Sequence, residues 1–175
     1  LFFWHDGNAK GIPLTHGNLY ENAFALMETW RFSHNDVLLH ALPLYHVHGL
    51  FVILGPALLA GMQIRFLSRF EPTSVIEALP SVSIIAAVPT YYTRLLATDG
   101  FTSEICSKVR IFISGSAPLS DKTFALFKER TQHTILERYG MSETGILTSN
   151  PLMGVRKPSS VCLPLKGVDL RIVGD

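Results

Sequence analysis

Short apolar runs recur along the chain, separated by polar turns and alternating with segments whose apolar residues repeat at helical spacing. Residues 15–30, THGNLYENAFALMETW, carry Leu19, Ala23, Leu26, Met27 and Trp30 at that spacing, which predicts a helix capped by Thr15. DVLLHAL (36–42), MQIRFL (62–67), SIIAAV (83–88), VRIFISG (109–115) and TILERYG (134–140) read as strands. LFF reads as the tail of another, and VDLRIV (168–173) as a last one. Between them, HGLFVILGPALLA (48–60) predicts a buried helix, PTSVIEAL (72–79) and PTYYTRLLAT (89–98) helices opened by proline, and PLSDKTFALFKERT (118–131) an amphipathic helix. The strands are apolar throughout, as when helices cover both faces of a mostly parallel sheet, so an α/β fold is expected. Ligands of such sheets bind outside the carboxyl ends of the strands, which directs attention to the residues after each strand.

Four of those stretches carry chemistry. LPLYHVHG follows DVLLHA and holds His46 and His48; two imidazoles at this spacing serve equally as a helix entry, and no third ligand stands near to make a metal site. Arg94 lies on the helix after SIIAAV, as a surface residue or a ligand contact. Gly115, Ser116 and Ala117 follow VRIFIS and are small enough for a flat ring to approach the backbone, or simply form a strand-to-helix turn. YGMSETG (139–145) collects an aromatic, a glycine, hydroxyls and a carboxylate. Tyr139 is a candidate to stack on a base, Ser142 and Thr144 to meet phosphate, and Glu143 to hold Mg²⁺; the plain alternative is a polar loop.

Composition narrows the classes. With 175 residues, 47% hydrophobic and 17% charged, the chain is long and apolar enough for one sizeable core and is not a disordered one. A net charge of +1 and the lack of a Lys/Arg run argue against nucleic acid. Cys106 and Cys162, widely spaced, make neither a disulfide framework nor a zinc site, and a reducing compartment is the expectation. The longest apolar stretch, residues 48–62, is short for a membrane span and is broken by Gly55, Pro56 and Gly61.

LTHGNL, LPLYHVHGL, VPTYYTRLL, FISGSAPLS and LERYGMSETG occur together and in the order found in adenylate-forming acyl-CoA synthetases, and the chain resembles that AMP-binding superfamily. YHVHG, YTRLL, SGSAPLS and HTILERYGMSET look most like malonyl-CoA synthetases. The resemblance implies that residues 1–175 are the central part of the large N-terminal AMP-binding domain, without the small C-terminal domain. It also implies an acid–thiol ligase: a carboxylate attacks ATP to form an acyl-adenylate, and coenzyme A displaces AMP. Gly115, Ser116 and Ala117 would line the adenine pocket, Tyr139 would pack on the adenine, Gly140 and Lys10 would be among the cofactor-binding residues, Ser142 would touch phosphate, Glu143 would bind Mg²⁺, and His46 would sit beside the reacting carboxylate and shape the acyl pocket. Malonate brings a second, unreacting carboxylate, which is costly to bury without a cation. Arg94 and Arg138 are the candidates, since guanidinium grips a carboxylate bidentately. Tyr139, Glu143, His46 and Arg94 are thus expected around one crevice.

The opening stretch departs from the family pattern. Gly7, Lys10 and Gly11 match the end of its phosphate loop, Thr-Ser-Gly-Thr-Thr-Gly-x-Pro-Lys-Gly, but Phe2, Phe3, Trp4, His5 and Asp6 stand where hydroxyls and glycine belong. Aromatic side chains and an acid there oppose phosphate binding. A truncated or artificially bounded piece is the favoured explanation, ahead of natural divergence, and both ends are expected to be cut. The fragment itself is then expected to be inactive, with self-association through surfaces left bare. Adenylation of another acid, or a non-catalytic nucleotide-binding remnant, are the competing readings. A cytoplasmic or mitochondrial-matrix setting is what the resemblance implies.

Overall fold

The computed structural model describes residues 2–5, 8–160 and 163–174, with side chains from residue 11 onward. It opens with an antiparallel hairpin, β1 (Phe2–His5) and β2 (Asn8–Gly11). Helix α1 (His16–Trp30) follows; the Thr15 side chain accepts from the Asn18 backbone, and the Asn18 side chain returns a bond to the Thr15 N–H. The order then runs β3 (Val37–His40), a π-helical segment (His48–Leu54) continuing into α2 (Gly55–Leu59), β4 (Gln63–Phe66), α3 (Pro72–Ala78), β5 (Ile84–Ala87), α4 (Pro89–Leu96), α5 (Ser103–Cys106), β6 (Ile111–Ser114), α6 (Asp121–Thr131), β7 (Leu136–Met141), β8 (Gly145–Ser149) and β9 (Leu163–Pro164).

Seven strands form one sheet in the order β4-β3-β5-β6-β7-β8-β9. The run from β4 to β7 is parallel, and β8 and β9 add to its edge antiparallel. The period of two along each strand sorts its side chains between two cores. Leu39, Ile85, Ala87 and Phe112 pack with Val75, Tyr92, Leu95, Phe124 and Phe127 of α3, α4 and α6. Leu38, Ile84, Ala86, Ile111 and Ile113 pack on the opposite face with Leu26 and Trp30 of α1 and with Val52, Ile53 and Ala57. Helices therefore cover both faces of the central strands β3, β5 and β6, which is why these are apolar almost throughout, whereas the edge strand β4 exposes Gln63 and Arg65.

Three expectations are corrected. The predicted helix at 48–60 is π-helical over its first seven residues. Gly49 there lies so close to Pro43 that a Cβ would stand 2.4 Å from its carbonyl oxygen, and the Gly49 carbonyl accepts from His40 Nε2 at 2.9 Å. YGMSETG is a tight hairpin rather than a loop, because Tyr139–Met141 pair with β8 and Gly145 turns the chain at φ +68°. VDLRIV forms no strand; Leu170, Ile172 and Val173 are exposed, and alternation without a neighbouring backbone to bond yields no ladder.

Candidate functional site

At the carboxyl ends of β3, β5, β6 and β7 the chain leaves the sheet, and the departing segments enclose a cavity of about 440 Å³. His46 and His48 reach it from the segment after β3, Tyr91 from α4, Ser116 from the turn after β6, and Arg138 and Gly140 from β7. A second hollow, about 770 Å³, lies between α1 and the hairpin tip and is bordered by Glu143, Ser142 and Thr144 across from Asn18 and Glu28. Val47, Val52 and Ser142 line both, so the two hollows meet there.

The register of the sheet sets the centre of the first cavity. Ser114 pairs with Glu137, which brings Arg138 level with Gly115. The guanidinium lies flat on that glycine: a Cβ on Gly115 would stand 2.3 Å from Arg138 Cζ and Nε. Arg138 is buried, and its Nη2 donates to Ser116 Oγ at 3.4 Å while Nε has no partner. Among the described residues no carboxylate pairs with it. Burial lowers its pKa to about 10, so it remains cationic at neutral pH. Its neighbour Glu137 faces away, toward the Leu119 and Ser159 backbone, and burial raises its pKa.

Ser116 has a left-handed backbone, φ 69°, uncommon for a residue with a side chain. Its hydroxyl lies 3.1 Å from His48 Nδ1. His48 is buried; that burial first, then Arg138, His40 and His46, hold its pKa well below the ordinary imidazole value, so the ring is neutral. His46 is exposed and tilted on Tyr45 at 4.5 Å. The hairpin is fastened to α1 by Asn22, whose side chain donates to the Ile146 carbonyl at 2.8 Å and accepts from its N–H at 3.0 Å. Gly140 admits no larger residue, since a Cβ would stand 2.2 Å from the Gly145 carbonyl oxygen.

The site residues read from the sequence divide accordingly. His46, Ser116, Arg138, Gly140 and Ser142 share the first cavity, and Glu143 borders the adjoining hollow. Gly115 lies under the guanidinium, and Ala117 is exposed beside Ser116. Tyr139 is 46% exposed and lines neither hollow, because strand alternation turns it away from Arg138. Arg94 also lines neither: its guanidinium stands 3.9 Å from Glu71 and 5.0 Å over the Phe70 ring, which stacks on Tyr91 of the cavity wall. The side chain of Lys10, and Gly7, lie outside the described residues. Tyr91 and Asn22 escaped the sequence reading, and His48 was read there only as one of the paired histidines of HVHG, with no role of its own. No three metal-ligating residues cluster among the described residues, and no helix among them is long and apolar enough to cross a membrane.

Comparison with known proteins agrees with this architecture. The family model "AMP-binding enzyme" matches residues 6–175. The chain is 38% identical to the mitochondrial malonate–CoA ligase ACSF3 of Xenopus laevis, over 95% of this chain and 32% of that protein. It is 34% identical to the malonate–CoA ligase of Arabidopsis thaliana, over 97% of this chain and 31% of the relative. Among solved structures, apo MatB from Rhodopseudomonas palustris superposes with a TM-score of 0.93 at 44% identity, covering 95% of this chain and 33% of that one. A malonyl-CoA ligase ternary product complex with methylmalonyl-CoA and AMP bound gives 0.91 at 33% identity, covering 98% and 38%. The chain spans about a third of the length of these relatives. Its sheet and its helices are those of the AMP-binding enzymes, and the chain belongs to that family.

Proposed function

We propose that the protein is an ATP-dependent acid–CoA ligase acting on malonate or a similar short dicarboxylate, with this chain as part of its adenylation domain. The observation that carries the reading is Arg138: a buried guanidinium at the strand ends, open to a cavity and without an acid of its own. Such a cation is costly to retain unless a ligand anion joins it. The names of the similar ligases support the same substrate class.

In the proposed reaction one carboxylate oxygen attacks the α-phosphorus of ATP. The bond to pyrophosphate breaks and an acyl-adenylate forms; the coenzyme A thiol then attacks the acyl carbon and AMP leaves. Arg138 holds the distal carboxylate, while His46 borders the reacting one. Arg94, one aromatic stack behind the wall, adds positive field through Phe70 and Tyr91. Gly115, Ser116 and Ala117 shape the adenine pocket, Tyr139 meets the adenine from outside, and Gly140 and Ser142 border the nucleotide's phosphates, with Lys10 their candidate cation. Glu143 suits magnesium: it is an exposed carboxylate between two hydroxyl residues on the larger hollow, leaving the ion's other positions to phosphate and water. When bound, the ion would neutralise phosphate charge. The setting proposed is the cytoplasm or the mitochondrial matrix.

Pyrophosphate exchange on the intact protein with a panel of acids tests the assignment. Malonate and methylmalonate should support exchange far better than acetate or benzoate. Equal rates with acetate would overturn the dicarboxylate reading, and exchange with none would overturn the ligase reading.

A further inference from the structure

One buried side chain at the cavity has no part in the roles above. His48 opens the π-helical segment, lies behind Ser116 and does not touch Arg138 by any hydrogen bond. Its position is fixed from three sides. Gly49 allows the chain to pass against the Pro43 carbonyl, the His40 ring takes the Gly49 carbonyl, and Val52 and Ile53 of the same segment are buried in the core.

The directions of the hydrogen bonds follow from donor chemistry. A guanidinium has only donors, so Ser116 Oγ must accept from Arg138 Nη2. The serine hydroxyl then has its own proton left to give, and His48 Nδ1 lies within reach at 3.1 Å. That bond requires Nδ1 to be unprotonated, which places the ring proton on Nε2. The neutral ring with its proton on Nδ1 would make Ser116 Oγ accept twice and leave the hydroxyl proton without a side-chain acceptor among the described residues, while Nε2 is buried without a partner in either tautomer; a cationic ring would set a second positive charge beside an arginine that already lacks an acid. The neutral form is also the one that burial favours.

We propose that His48 is a positioning residue for substrate recognition: as a neutral imidazole accepting from Ser116, it fixes the hydroxyl that in turn orients the Arg138 guanidinium toward the distal carboxylate of the acid. This rests on the proposed function of the cavity. It explains why Ser116 persists in a left-handed conformation that hydrogen bonds on both sides of its hydroxyl can hold. It also assigns the second histidine of HVHG a part separate from that of His46, which lies exposed at the cavity mouth. His48 holds the Ser116 hydroxyl, whereas the adenine pocket proposed above is shaped by the backbone of residues 115–117, so loss of His48 should fall on the acid and not on ATP.

Ring nitrogen NMR and steady-state ligation kinetics on the intact protein test this together. The His48 ring should show the Nε2–H tautomer with a hydrogen-bonded Nδ1, and Ser116→Ala should shift that Nδ1 resonance. His48→Leu should raise KM for malonate at least tenfold, with KM for ATP and kcat at saturating acid changed less than twofold. His48→Asn places an acceptor where Nδ1 stands and should restore most of the loss; His48→Gln reaches toward the Nε2 position and should not. The effects of His48→Leu and Ser116→Ala should be strongly non-additive. An Nδ1–H tautomer, a ring indifferent to Ser116→Ala, a wild-type malonate KM in His48→Leu, or equal rescue by Asn and Gln would each overturn the assignment. A wild-type protein inert toward malonate would instead sink the functional reading, and the tautomer and its response to Ser116→Ala would still decide whether His48 holds the serine.

Discussion

Arg110 and Arg138 serve neighbouring strands, and their surroundings differ in kind. Arg110 precedes β6 and spends its donors inside the protein. Nε and Nη2 each meet an Asp36 carboxylate oxygen at 2.7 Å, Nη1 meets the Trp30 carbonyl, and Nη2 also meets that of Arg31. It thereby ties the carboxyl end of α1 to the start of the sheet. Arg138 sits at the other end of the strands with one long bond to a serine and an unpartnered Nε. Arg156 resembles Arg110, with three backbone carbonyls as partners. A guanidinium that holds a fold together is saturated by it, whereas one kept for a ligand is left with donors to spare, at a cost in stability that the ligand offsets.

The sharpest test of that contrast is a pair of matched substitutions. Arg110→Met strands the Asp36 carboxylate, which is 7% exposed, and should cost about 3–5 kcal/mol in urea unfolding. Arg138→Met should leave stability unchanged or raise it by about 1 kcal/mol, while malonate-dependent exchange falls at least about a hundredfold. If both variants lose stability equally, the two arginines are alike and the recognition role fails. Gly115→Ala comes next: its methyl group collides with the guanidinium, so malonate kcat/KM should fall about tenfold, near 1.4 kcal/mol, with the melting temperature little changed. Arg94→Ala should weaken malonate selectivity only a few-fold, because its charge is half exposed and screened behind Phe70 and Tyr91; a loss as large as that of Arg138→Met would exchange their roles.

The Asp36 clamp also predicts an acid dependence. Burial works to raise the Asp36 pKa, but hydrogen bonds from Arg110, Ser83 and Ser33 outweigh it and the carboxyl titrates below its ordinary value. A depressed folded-state pKa means that the stabilisation is complete above the unfolded value of about 3.9 and fades as pH falls below it. Urea midpoints measured between roughly pH 5 and pH 2.5 should drop in the wild type, and the part due to Asp36 should vanish in Arg110→Met. The smallest effect is expected at Thr15→Ala, about 1 kcal/mol from the lost α1 cap, with no change in substrate selectivity.

Much of this was legible in the chain itself. Continuous apolar runs mark strands buried on both faces, prolines open α3 and α4, and Thr15 caps α1, because each depends on a residue and its near neighbours. That the polar cluster around Ser142 and Glu143 belongs at the strand ends follows from the same alternation. The contacts of Ser116 with His48, of Asn22 with Ile146, and of Gly115 with Arg138 were not legible. They join residues 68, 124 and 23 positions apart, and only strand register and the π-helical turn bring those pairs together. The same register separates what sequence proximity suggested: Tyr139 and Arg138 are adjacent in the chain yet face opposite ways, and Arg94 turns to Glu71 and Phe70. Local sequence determines which elements form and which way they are buried, since backbone hydrogen bonding and side-chain periodicity are short-range. Which side chain meets the ligand is decided by pairing between distant strands, where a shift of one residue reverses every face.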